Sequence, residues 1–351
     1  MPPGTAALTP DEAKKQEDNY LERQDAVRQQ VPPSVGLHQQ EQPVEDFQPP
    51  QHAVDTAKGH SAFGELRDSV VSLAYGANSV LVSLESVTTD SQNRVIVTDP
   101  GAHAVHVLAR SAKRSFQIIG GPGRRLQEPR GVAVDGNDNI YVSDSKRGVI
   151  LVYDSNGEFV RTIGTYGDEG MFERPSGIAI DAKAGHLYVV DPPSHTMFIF
   201  DLKGDLLARI EPKKGGFSSR AGSTEPGGFR FPQSILVHND ELVVLDASRI
   251  HFLTLQGKFL NEFKISTSVD WRAGPMPGLF MDAENDIYVS DSGSGTVREY
   301  SRDGHLLGTF GQPGIRLGEF NALAGMWADS IGRVYIADAH RVQIFQLSGT
   351  K

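Results

Sequence analysis

Six segments of the chain share one pattern: an apolar residue, a variable residue, valine or isoleucine, a second variable residue, and aspartate. They end at Asp99, Asp144, Asp191, Asp246, Asp291 and Asp338, and successive aspartates lie 45, 47, 55, 45 and 47 residues apart. A period in the forties marks a repeat architecture, whose units cannot bury their apolar faces alone and must stack on their neighbours. Each unit also has a short apolar run ahead of the pattern (Gly-Val-Ala-Val-Asp ending at Asp135, for example). A third run follows the closing aspartate, and a fourth follows a Gly or Asp turn.

Four short strands per unit, six times over, predict an all-β chain folded as a six-bladed β-propeller. The last unit stops at Leu347-Ser348-Gly349-Thr350-Lys351 without a fourth run, and residues 65–74 have strand character ahead of the first unit. The expectation is that this N-terminal strand completes the last blade, which removes two free sheet edges.

Residues 1–62 differ in kind from the propeller region, residues 63–351. Thr9-Pro10-Asp11-Glu12 has the residues of a helix start. A helix to about Gln30 is expected, with apolar positions too sparse for a strong core face. A Pro/Gln-rich stretch follows whose composition is that of a disordered linker.

The chain has 351 residues, a formal net charge of −10 and no cysteine, which excludes disulfides, thiolate nucleophiles and Cys-based zinc sites. No run approaches the roughly 20 apolar residues of a membrane span. The N-terminus lacks the basic and apolar regions of a signal peptide. This fits either a cytoplasmic chain or a processed extracytoplasmic form, and a monomeric propeller is expected.

Pro-x-Gly ahead of the first strand, Tyr-Val-x-Asp in the second, and His/Arg before a third strand ending in Phe together resemble the NHL repeat. The residues that carry the resemblance include Pro129-Arg130-Gly131, Pro175-Ser176-Gly177, Tyr141, Tyr188, Tyr288, Tyr335 and His340-Arg341. It covers about residues 84–348. Blade four departs from it with Pro232-Gln233-Ser234 and His238, and blade one with Leu84-Glu85-Ser86. The resemblance implies an NHL-type propeller. Such propellers act as binding scaffolds, and some bind single-stranded RNA on a basic top face. Lyases and gluconolactonase-like enzymes of similar shape use a metal ion in the channel.

Paired carboxylates are a first candidate for chemistry, but Asp135 and Asp144 lie at opposite ends of one hairpin. They are separated by about 14 Å of strand, beyond the roughly 5 to 9.5 Å of a glycosidase pair. Both read as turn and strand-end acceptors. Asp90, Asp135, Asp181, Asp282 and Asp329 either ring the lower mouth, where a channel cation would sit, or serve their own turns. The starts of the inner strands (Glu85, Arg130, Ser176, Gln233, Pro277 and Ala324) offer one acid and one arginine, a salt bridge more readily than a metal site. None of the eleven histidines is placed in an inner strand, as a channel zinc site would require. His186, His238 and His305 are assigned to lower turns. No catalytic residue, metal ligand or cofactor is predicted, and the reading leans away from an enzyme.

Charge singles out the top face, which carries the loops from strand four to strand one and from strand two to strand three. Those loops hold 15 Lys/Arg and 8 Asp/Glu on an acidic chain. Arg124, Arg125, Arg130, Lys146 and Arg147 fall at the top of blade two, beside Arg174. An insertion from Glu211 to Phe231 adds Lys213, Lys214, Arg220 and Arg230, and Arg341 lies atop blade six. Long loops on a rigid scaffold tend to carry binding function. The alternative for these arginines is a repeat role in holding blades together. The expectation is a basic face for an acidic protein or peptide, with RNA a lesser alternative. The top-loop aromatics Tyr166, Phe172, Phe217, Phe229 and Trp271 are scattered rather than arrayed for base stacking.

Overall fold

In the computed structural model, residues 81–347 are described apart from 110–114, 122–123, 167–168, 212–226 and 267–273. The predicted helix at 9–30, the linker, the strand at 65–74, Lys213, Lys214, Arg220, Phe217 and Trp271 lie outside the described residues. The described residues form six antiparallel blade sheets, three two-stranded ladders and no helix.

Blade two shows the plan: Pro129–Val134, Ile140–Asp144, Val149–Tyr153 and Phe159–Ile163 pair in chain order from inside to outside. Blades one (Val87–Ile118), three (Ile178–Ile210), four (Pro232–Lys264) and five (Leu279–Phe310) repeat it. Blade six has three strands among the described residues, Leu323–Ala328, Arg333–Asp338 and Arg341–Gln346. The inner strands pack against one another in sequence, and the inner strand of blade six packs against that of blade one.

The middle strands alternate apolar side chains to both faces, so every blade has two faces to bury. Six hydrophobic clusters result, one at each blade interface, including Leu84, Val97, Ala337 and Val342 where blade six meets blade one. Each fully buried aliphatic or aromatic side chain contributes about 1.5–3 kcal/mol, so stability is spread around the ring.

The repeat residues have separate duties. The aspartate closing the second strand reaches the chain arriving from the preceding blade. Asp144 accepts the N–H groups of Gln127 and Glu128 at 2.9 and 3.0 Å. Asp99 does the same for Val82 and Ser83, Asp191 for Glu173 and Arg174, and Asp338 for Asn321 and Ala322. The aspartate after the first strand serves its own turn: Asp135 accepts from Asn137 N, Asn139 N and the Tyr141 hydroxyl. The tyrosines of the second strand are thereby buried with a partner, as Tyr288 is on Asp282 at 2.9 Å. Burial, reinforced by the neighbouring Asp135 carboxylate, pushes the Tyr141 phenol up to about 12.

The glycine of Pro-x-Gly lets neighbouring inner strands approach. A Cβ on Gly131 would stand 2.2 Å from the Ser176 carbonyl oxygen, and one on Gly177 2.6 Å from that of Gln233. Where blades one and four depart from the motif, serine takes the place. Ser234 Oγ donates to the Pro277 carbonyl, and Ser86 Oγ accepts from Val132 N at 3.4 Å.

Two sequence assignments are corrected. His238 is the last residue of the inner strand of blade four, and His186 opens the second strand of blade three. Pairing of His238 with Glu241 and of His186 with Asp201 extends the ladders into what the sequence marks as turns.

Candidate binding face at the top of blade two

The central channel is lined by all six inner strands. Its wall is aliphatic and hydroxyl-bearing, with Thr88, Val134, Ile180, Val237, Met326 and Trp327 around a cavity of about 150 Å³. Among the described residues no three His, Asp or Glu side chains come together as a metal site. The first-strand aspartates are each bonded to N–H groups of their own turns.

Above the channel the predicted pair is present. Arg130 Nε lies 3.7 Å from Glu85 Oε2 and 3.1 Å from Glu128 Oε1, and Arg174 clamps both Glu128 oxygens at 2.6 and 2.8 Å. This alternating row of two acids and two arginines crosses the tops of blades one to three. Arg130 and Arg174 are therefore neutralised in place. Sequence reasoning missed Glu128 as their shared partner. The available signal was the 46-residue separation of Glu128 and Arg174, one repeat period, which sets equivalent positions side by side.

Glu85 is buried, 7% exposed, and its Oε2 accepts no hydrogen bond. Burial, with a smaller push from Glu128, raises its carboxyl to about 6, and Arg130 and Arg174 offset this only in part. Because the folded-state value lies above the ordinary 4.5, the contribution to stability is full below pH 4.5 and is lost as pH rises through about 6. Glu85→Gln is accordingly expected to be more stable than the parent by about 2 kcal/mol at pH 8, with no such gain at pH 4. Denaturant unfolding at the two pH values checks this.

Arg341 is also engaged. Its guanidinium binds Asp338 at 2.9 Å and donates to the carbonyls of Ile315, Arg316 and Glu319, tying down the loop that enters blade six. Arg230 is exposed, and its N–H is held by Asp246. Phe172 and Phe229 are buried anchors, 5% and 1% exposed, that seat the chain as it crosses between blades; they are not surface aromatics.

Arg125, Lys146 and Arg147 are different. Among the described residues no carboxylate pairs with any of them. Arg125 and Lys146 are exposed and Arg147 is half-buried. They are brought together by the latch at Asp144, which holds Gln127 and Glu128 from one loop and caps Arg147 N from the other at 3.3 Å. Ser145 N also donates to Glu128 O at 2.8 Å. Arg124 and Arg125 form a two-residue ladder with Gly120 and Gly121. Gly120 and Gly121 therefore support the backbone of the arginine pair.

A family model described as a 6-bladed β-propeller matches residues 126–213. Protein brain tumor of Drosophila melanogaster, an NHL protein, is 31% identical over 129 residues, covering 35% of this chain and 12% of that protein. The chain thus spans about an eighth of that relative's length. Among solved structures, a gluconolactonase from Xanthomonas campestris superposes with a TM-score of 0.58 at 14% identity, covering 84% of this chain and 98% of that one. Virginiamycin B lyase from Staphylococcus aureus gives 0.54 at 14% identity, covering 75% and 80%. At such identities the likeness is one of fold. With the six observed blades, the family-model match and the superpositions identify the chain as a six-bladed β-propeller, and its repeats are similar to those of an NHL protein.

Proposed function

We propose that this propeller is a non-enzymatic binding module whose top face engages an acidic segment of a partner protein. The observation that carries the reading is the group formed by Arg125, Lys146 and Arg147, three cations without a carboxylate partner on adjoining loops. In the same face Arg130, Arg174 and Arg341 are used up within the fold. Cations held by a rigid ring, on a chain of net charge −10, give a local field that steers an acidic partner to one blade. Lys213, Lys214, Arg220 and Arg124 belong to the proposed face through their place in the sequence.

The test is replacement of Arg124, Arg125, Lys146 and Arg147 together by serine in the full chain, followed by crosslinked capture from native extract. The parent is expected to recover an acidic protein that the variant loses. Recovery of the same partner by both proteins would overturn the proposal.

A further inference from the structure

Next to the loop of Lys146 and Arg147 stands a large exposed side chain that repeat geometry leaves unexplained. Tyr166 is 63% exposed. It sits on a two-residue ladder, Thr165–Tyr166 against Glu169–Gly170, projecting from the crossing between blades two and three. The ladder is seated firmly. Met171 N donates to Gly164 O at 2.8 Å and Phe172 N to Gly148 O at 3.1 Å. Phe172 packs edge-on to Phe198 and Phe200. The base of the ladder rests on the loop that carries Lys146 and Arg147. A Cβ on Gly170 would lie 2.3 Å from Arg147 O and 2.5 Å from Gly148 O, so the contact admits only glycine.

The ladder is asymmetric in charge. Glu169 faces Tyr166 across it, and Glu173 is exposed further along the same crossing, whereas the unpaired cations lie on the blade-two side. An exposed tyrosine on a rigid mount beside cations has the composition of an interface anchor: large contact area, little rotamer entropy to lose, and arginine alongside.

We infer that Tyr166 is the anchor for an apolar side chain that follows the acidic stretch of the partner. The acids lie over Arg125, Lys146 and Arg147, the apolar residue packs on the Tyr166 ring, and carboxylates are excluded beyond it by Glu169 and Glu173. This rests on the basic-face reading above and narrows it, from any acidic surface to an extended segment with acids on one side of an apolar residue. The alternative occupant of a tyrosine beside arginines is a stacked nucleotide base, and the test distinguishes the two.

Full-length protein is titrated, by fluorescence anisotropy, against a labelled peptide of four aspartates, a glycine and a phenylalanine. The same peptide with serine for phenylalanine, and a labelled oligouridine, complete the probes. The phenylalanine peptide is expected to bind about tenfold more tightly than the serine peptide. Tyr166→Ala, a surface change, is expected to erase that difference while leaving the serine peptide unaffected. Equal affinity of the two peptides for the parent would overturn the anchor and leave the basic face standing. Failure of both peptides to bind would overturn the basic face and the anchor with it. Oligouridine binding that Tyr166→Ala weakens more than peptide binding would overturn the peptide assignment in favour of nucleic acid.

Discussion

Asp246→Ala is expected to lower the unfolding free energy by about 3–5 kcal/mol, the range for breaking a buried charge pair from one side. Its carboxylate is fully buried, accepts the N–H groups of Arg230 and Phe231, and pairs with Arg249 at 2.5 Å and His251 at 3.1 Å. The variant leaves the two amides and the imidazole without their acceptor inside the blade. Burial acts to raise the Asp246 carboxyl. The His251 hydrogen bond and charge, Phe231 N–H and Arg249 outweigh it and hold the group below the ordinary 3.8. A depressed value means that the stability is present above pH 3.8 and is lost as pH falls below it. The parent is therefore expected to lose stability steeply on acidification, and Asp246→Ala to lose less over the same range. Asp154→Ala, at a more exposed turn where the carboxylate serves Asn156 N and Glu158 N, is expected to cost about 1 kcal/mol. Urea unfolding of the three proteins between pH 3 and 7 checks both magnitude and slope.

Gly325→Ala is expected to cost about 3 kcal/mol, near the upper end for forcing atoms into a packed site. Gly325 sits where blade six meets blade one, and its N–H donates to Glu85 O at 2.6 Å. A Cβ there would fall 2.3 Å from that oxygen and 2.8 Å from Ser86 Cα. Both obstacles are backbone, so relief requires the blades to part, which loosens the Leu84, Val97, Ala337 and Val342 cluster at the same seam. Gly136→Ala, with nothing within 4 Å of the added carbon, is expected to stay within about 0.5 kcal/mol of the parent. Thermal unfolding of the pair checks that the effect belongs to the seam and not to glycine replacement as such.

The fold was legible because its determinants are local and repeated. Period-two apolar runs, turn residues and a closing aspartate recur six times, so a misplaced boundary in one blade is corrected by the other five. The assignment of Asp135 to turn chemistry agrees with its bonds to Asn137 and Asn139. The assignment of Asp144 to the same chemistry was incomplete. Its carboxylate binds residues 16 and 17 positions earlier, a non-local contact that no local pattern shows.

The face was legible only in composition. Counting charges treats Arg130, Arg174 and Arg341 like Arg125 and Lys146. The first two are neutralised by Glu128, and Arg341 by Asp338 and backbone carbonyls. Those partners are fixed by stacking and by loop return, neither of which a linear count contains. Aromatics behave alike: Phe172 and Phe229 go inward as crossing anchors, and Tyr166 goes outward because its ladder lifts it clear.

On the proposed reading, binding resides in the unpaired cations above blade two, on a ring whose other repeat residues maintain the fold. The most direct measurement is the salt dependence of affinity for an aspartate-rich peptide. It compares the full-length parent with the protein in which Arg124, Arg125, Lys146 and Arg147 are all serine. The parent's affinity is expected to fall steeply between low and physiological salt, as screening of exposed charges requires, and the variant is expected neither to bind appreciably nor to respond to salt. A variant that keeps the parent's affinity and the parent's salt response would contradict that reading.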